Sequence, residues 1–157
     1  MISYDDAIAM ILDTVRILPP VTVSIEQALG KILVEPVMSK LDLPPANNSA
    51  MDGYAFQFAG LPEDQSLRQV GFVAAGNVFP GAVKPGETVK IMTGAPAPEG
   101  CDTVVPIEEV EVDGDRLILL KPQAQGQHVR YRGEEIKQGE IALEAGAQIN
   151  SAAIGLL

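Results

Sequence analysis

The stretch Leu43-Pro44-Pro45-Ala46-Asn47-Asn48-Ser49-Ala50-Met51-Asp52-Gly53-Tyr54-Ala55 divides the chain into two kinds of sequence. Before it, apolar residues recur at helical spacing; after it come short strand-like runs punctuated by glycine and proline. The two prolines stiffen the approach, and Tyr54–Phe58 reads as a strand. Asp52 therefore stands one residue before a glycine at the mouth of a strand, and loops on a rigid scaffold are where binding groups concentrate. Asn, Ser, Asp and Gly also favour ordinary turns, so composition alone supports a turn. A second unusual loop changes the weighting: Met92-Thr93-Gly94-Ala95-Pro96-Ala97-Pro98-Glu99-Gly100.

Working upstream, Ser3 is a good N-cap, with Asp5 and Asp6 in the first turn to suit the helix dipole. Ile8, Ile11, Leu12 and Val15 continue the helical spacing until Pro19-Pro20 stops it. Val21–Val23 reads as a short strand, and Ser24 with Gln27 as the capping box of a brief helix ended by Gly30. Downstream, Gln69–Val73 and Glu87–Met92 read as strands. Glu109–Val112 and Leu117–Leu120 flank Asp113-Gly114 as a hairpin. Ile136, Ile141, Leu143 and Ile149, interrupted by Gln138-Gly139 and Ala145-Gly146, read as a narrow β-ribbon. Asn150-Ser151 caps a helix that has barely one turn before Leu157, too short to be stable alone, so a longer parent chain is expected.

Composition sets limits on function. The 157 residues suffice for one domain or two small ones. Aromatics make up 4% and Trp is absent, so the core must be aliphatic. A net charge of −10 argues against nucleic-acid or anionic-membrane partners, which need cationic surfaces, yet leaves room for a small anion at a local patch. Cys101 is the single cysteine; it excludes an intrachain disulfide, fits a reducing cytoplasm, and reads as a small packing residue. One Cys and one His do not make a zinc site. The given N-terminus lacks the basic and apolar regions expected of a signal peptide, and no apolar run approaches membrane length.

Three segments could carry chemistry. Asp52 offers hard carboxylate oxygens of the kind Mg²⁺ prefers. Thr93-Gly94-Ala95 follows a strand, where glycine lets backbone N–H groups approach an anion and Thr93 adds a hydroxyl. Gln127-His128-Val129-Arg130-Tyr131-Arg132-Gly133-Glu134-Glu135-Ile136 places two arginines at i and i+2, on one face of an extended chain, a spacing that suits phosphate or carboxylate. Each segment alone reads as well as a turn or a salt-bridged surface strand. Neither a Lys-Ser/Thr phosphate loop nor a dinucleotide glycine fingerprint is present.

Together the segments resemble the molybdopterin molybdenumtransferase family, which completes molybdenum cofactor and is related to the E domain of gephyrin. The resemblance runs from Tyr4-Asp5-Asp6-Ala7 through Pro45–Ala55, Ile91–Pro96, Pro98–Val105 and Val129–Ile136. It implies an enzyme that inserts molybdate into adenylylated molybdopterin with Mg²⁺ and releases AMP. It also implies a cytoplasmic homodimer supplied by a molybdopterin adenylyltransferase, and a chain inactive without its remaining domains. The implied architecture is α+β: an elongated helix-plus-β-ribbon domain from residues 1–44 and 136–157, and an inserted β-barrel-like domain from 45–135. Carried over residue by residue, Asp52 is catalytic and the metal ligand, with Thr93 and Glu135 also catalytic. Glu135 departs from the family's usual Asp. Ser49, Gly94, Arg130 and Arg132 are expected on the cofactor side. The competing reading is a dimerisation scaffold in which Asp52 serves only as a turn residue.

Overall fold

The computed structural model describes residues 2–157. The chain is mostly β with few helices, and it divides into two compact units, Met1–Val37 with Ala142–Leu157, and Met38–Ile141. In chain order the strands are β1 (Val37–Met38), β2 (Asn48–Ser49), β3 (Gly53–Phe56), β4 (Ser66–Val73), β5 (Glu87–Ile91), β6 (Thr103–Pro106), β7 (Val110–Asp113), β8 (Arg116–Leu119), β9 (Val129–Arg130) and β10 (Ile141–Leu143).

In the discontinuous unit, α1 spans Tyr4–Thr14. Ser3 Oγ caps it by accepting the Asp6 N–H at 3.1 Å, as its sequence requires. No residue of α1 is buried, so Ile11, Leu12 and the adjoining Val15 are exposed. Residues 21–23 form no strand. The expected second helix is only a 3₁₀ turn, Ile25–Gln27, because Ser24 makes no capping hydrogen bond there. Too few consecutive helical bonds remain to extend it. Gly30 does reverse the chain, at φ +80°. The core of this unit is Ala28, Ile149 and Ala153, packed with Val23, Leu33, Leu143 and Ile154. Backbone bonds lace its two segments: Gly30 N–H to Ile149 O at 2.8 Å and Leu33 N–H to Ala147 O at 3.0 Å. The last element, α2 (Ser151–Ile154), is capped by Asn150 Oδ1, which accepts the Ala153 N–H at 2.9 Å.

The other unit is built on a six-stranded sheet in the order β6-β3-β5-β4-β8-β7. β3 is buried along its whole length because both its faces are covered. Ala55 faces a cluster with Val73, Val83, Val89, Ile91, Ala95 and Val104. Tyr54 and Phe56 face the other way, packing with Leu67, Val105, Leu117 and Leu119. β6 and β8 are separated by three strands in the order yet share that second cluster. The sheet must therefore curl around it, as an open half-barrel whose end strands β6 and β7 do not pair.

Three features depart from the expected strands. β6 arises from Thr103-Val104-Val105, a β-branched run. β4 and β5 pair in parallel, which needs a long crossover; residues 74–86 supply it and contribute Phe79 and Val83 to the first cluster. The register shifts between Gln69 and Gly71, and there a Cβ on Gly71 would lie 2.5 Å from the Phe79 ring. The hairpin forms one residue later than expected: Asp113 pairs with Arg116, and Gly114 takes the first turn position at φ +63°.

Candidate active site

The three candidate segments converge within the sheet-containing unit, and β2 is their centre. On one side Asn48 pairs with Arg130 and Ser49 with Val129. On the other, Asn48 bridges to Pro96, Ser49 N–H donates to Ala95 O at 3.0 Å, and Gly94 N–H donates to Ser49 O at 2.8 Å. Ala97 N–H reaches Asn47 O at 2.9 Å, and Ala50 N–H reaches His128 O at 2.9 Å. Backbone bonds to both neighbours fix the loop that carries Asp52.

Asp52 Oδ1 accepts two hydrogen bonds at 2.7 Å, from Thr93 N–H and from Thr93 Oγ1. The backbone N–H, and then the hydroxyl, hold the carboxyl below its usual range. Asp52 is exposed and ionised at neutral pH, and among the described residues no protein donor reaches Oδ2. Gly53 is not a turn glycine. A Cβ there would fall 2.1 Å from Val105 O, so glycine is what lets β3 start against β6 directly beside the carboxylate.

The other expected site residues are engaged inside the protein. Ser49 is 1% exposed; its Oγ donates to Met51 O at 2.6 Å and accepts the Met51 N–H at 3.3 Å. It braces the Asp52 loop and is not open to a cofactor. Gly94 has the left-handed φ of +81° that its loop needs, but the amides expected to cradle an anion are occupied. Thr93 N–H binds Asp52, Gly94 N–H binds Ser49 O, and Ala95 N–H binds Met92 O. Thr93 gives its hydroxyl proton to Asp52, so it meets a ligand first as an acceptor.

The two arginines do not share a face. β9 ends at Arg130, and the chain turns through Gly133 at φ +69°, so Arg130 and Arg132 find different partners. Arg130 Nε donates to Glu134 Oε1 at 2.9 Å and its Nη2 donates to Glu135. The Tyr131 N–H, and then Arg130, hold the Glu134 carboxyl below its usual range. Arg132 Nε donates to Asp42 Oδ2 at 2.5 Å, and its N–H to Asn47 Oδ1 at 2.9 Å. Asp42 Oδ1 also accepts the Gln138 N–H, which with Arg132 lowers its pKa. Glu135 thus joins Arg130 and makes no hydrogen bond to Asp52 or Thr93.

Asp42 is the residue that sequence reasoning missed; with Asn47 it anchors the motif through Arg132, 90 and 85 positions away. No local signal marks such a pairing. Cys101 packs against the first core cluster, and burial, with Asp102 beside it, pushes its thiol up to about 12, as an inert packing residue requires. Among the described residues, no group of three or more His, Cys, Asp or Glu side chains comes together as a metal site. Asp52 meets a more modest requirement. Mg²⁺ is commonly held by one or two carboxylates, with waters and substrate phosphates completing its shell. An exposed, ionised carboxylate with one free oxygen fits that role.

A mostly β chain with few helices, built on a curled half-barrel sheet, has a MoeA-like fold. Residues 2–157 match the family model for the MoeA N-terminal region, domains I and II, and the chain belongs to that family. It is 37% identical over 138 residues to the molybdopterin molybdenumtransferase of Haemophilus influenzae, covering 85% of this chain and 33% of that protein. It is 32% identical over 161 residues to the molybdopterin molybdenumtransferase of Staphylococcus aureus strain Mu50, covering 99% of this chain and 38% of that one. The crystal structure of the molybdopterin biosynthesis MoeA protein from Pyrococcus horikoshii OT3 superposes with a TM-score of 0.93 at 29% identity. That match covers 100% of this chain and 43% of the other. The chain thus spans little more than a third of the curated relatives it matches.

Proposed function

We propose that this chain supplies one wall of an active site that inserts molybdate into adenylylated molybdopterin and releases AMP. The observation that supports this reading is the convergence of Asp52 and Thr93 from separate loops, leaving an ionised carboxylate oxygen exposed beside β2. Asp52 Oδ2 would hold Mg²⁺, which supplies charge neutralisation at the phosphoanhydride. Asp52 stays ionised and so acts as a ligand and electrostatic anchor, not as a proton donor. The Thr93 N–H and hydroxyl keep that carboxylate oriented, and its donor geometry is preorganised before substrate arrives. Arg130, with Glu134 and Glu135 on it, sets the far edge of β2; Glu135 acts by orienting that guanidinium.

The same reading places the whole enzyme in the cytoplasm as a homodimer, receiving its substrate from a molybdopterin adenylyltransferase. The two units here correspond to an elongated helix-and-ribbon domain and an inserted one, and the remaining domains complete the site. This chain alone is inactive in that scheme.

One observation favours the alternative of a non-catalytic scaffold: both hydrogen bonds to Asp52 Oδ1 tie two loops together, as a purely structural clamp would. Asp52→Asn separates the two readings, because Asn Oδ1 can still accept both bonds while the charge is lost. In the full-length protein, loss of molybdate insertion by about 100-fold or more with an intact dimer and fold supports chemistry. Unchanged insertion overturns it in favour of the clamp.

A further inference from the structure

The two arginines that the sequence offers for an anion are already neutralised by Glu134, Glu135 and Asp42. A phosphate-bearing ligand beside Asp52 needs another cation, and the sheet provides one. Tyr54 pairs with Val105 on β6 and with Lys90 on β5, and Lys90 pairs in turn with Phe72 on β4. Residues directly opposite each other share a sheet face, so Val105, Tyr54, Lys90 and Phe72 form one row across four strands. The flanking pairs confirm the side: Val89 and Ile91 belong to the opposite cluster, whereas Tyr54 and Val105 lie on the inner face of the curl.

This row lies at the Asp52 end of β3, since Asp52 precedes Tyr54 by two residues on the same chain. Lys90 is half-buried and belongs to no ion pair among the described residues. No carboxylate among the described residues occupies its ammonium, which leaves that charge available to an anionic ligand. The row is also open at its outer end. β8 covers β4 only at Ser66–Arg68, and Phe72 is 56% exposed. An exposed aromatic ring paired across the strands with a lysine that has no ion-pair partner suits a flat heterocycle carrying a phosphate.

We propose that Lys90 is a substrate-binding residue that takes phosphate charge, with Phe72 as the surface on which the attached flat ring rests. This deepens the molybdate-insertion reading and rests on it. Lys90 would neutralise phosphate charge that the substrate carries before any bond breaks, so its contact is made in the ground state as well as in the transition state. Its removal should therefore appear in KM more than in kcat.

The test uses the full-length protein, with Lys90→Met, Lys90→Arg, Phe72→Ala and Asp52→Asn beside wild type. Lys90→Met should raise KM for adenylylated molybdopterin about tenfold, with kcat within about twofold, as expected for one charge-assisted contact. Lys90→Arg should recover most of that loss. Calorimetric titration with AMP and with inorganic pyrophosphate provides a readout apart from turnover. Lys90→Met should weaken both, and Phe72→Ala only the AMP. A pterin ring over Phe72 would instead show as a raised substrate KM in Phe72→Ala with AMP affinity unchanged, and would support the same site. Unchanged KM and unchanged titrations in Lys90→Met overturn the proposal, as does a fall in melting temperature with no change in affinity. If Asp52→Asn inserts molybdate normally, the reaction-centre reading fails, while the pyrophosphate titration still decides the role of Lys90.

Discussion

At the residue scale, two glycines that look alike in sequence do different work. Gly53 is needed because Val105 O stands where its Cβ would be, whereas Gly94 has open space and is needed for its left-handed φ. Gly53→Ala should destabilise by about 2–3 kcal/mol, the cost of forcing an atom into a packed strand pair. Gly94→Ala should lose only about 1–2 kcal/mol of backbone strain. Urea denaturation of both variants checks the order; equal losses would mean that β3 and β6 can simply move apart. The Asp52 carboxyl carries a pH signature too. Its native pKa is depressed by Thr93, so its contribution is fully present above the unfolded-state value of about 3.9 and is lost as pH falls through the lower native value. Asp52→Asn should remove that acid-side dependence, seen as a flatter melting temperature between wild type and variant below about pH 4. Asp42 and Glu134 add slopes of the same sign, so the difference between the two curves is the quantity to read.

At the element scale, the parallel pairing of β4 with β5 depends on an irregularity. The register shift between Gln69 and Gly71 resets the alternation, so that Leu67 packs in the second cluster but Val73, six residues on, packs in the first, and Phe72 lies on the inner row. Gly71 makes room for the Phe79 ring from the crossover, which thereby seals the first cluster. Gly71→Ala should cost about 1–3 kcal/mol by displacing that ring. The same substitution should cost markedly less in a Phe79→Ala background, a coupling of about 0.5 kcal/mol or more in a double-mutant cycle. Additive losses would show that the contact is incidental. The hairpin β7–β8 teaches a smaller lesson. Asp-Gly was legible as its turn, but cross-strand pairing of Asp113 with Arg116 moved the glycine to the first turn position.

At the scale of the whole molecule, the chain spans little more than a third of its curated relatives. Residues 1–157 on their own should melt cooperatively yet show no molybdate insertion above background. Measurable insertion by the isolated piece would relocate the chemistry entirely within these units. The described residues contain no helix long and apolar enough to cross a membrane.

Much of this was legible from local chemistry. The Ser3 and Asn150 caps, the Gly30 reversal, most of the strands after Pro45 though not β6, and the three motifs are encoded over a few residues, where turn, cap and alternation rules act. The family followed from those motifs in order. What the sequence could not express was partnership. Asp52 meets Thr93 across 41 positions, and Arg132 meets Asp42 across 90. The i, i+2 spacing of Arg130 and Arg132 promised one anion-binding face, yet a turn after β9 sent each to a different carboxylate. The row of Val105, Tyr54, Lys90 and Phe72 exists only through strand order and register, which long-range pairing of curled sheet faces decides. Sequence determined which groups are present and how each short segment bends. Tertiary structure decided which charges are neutralised and which remain for a ligand, because electrostatic pairing depends on distance in space rather than along the chain.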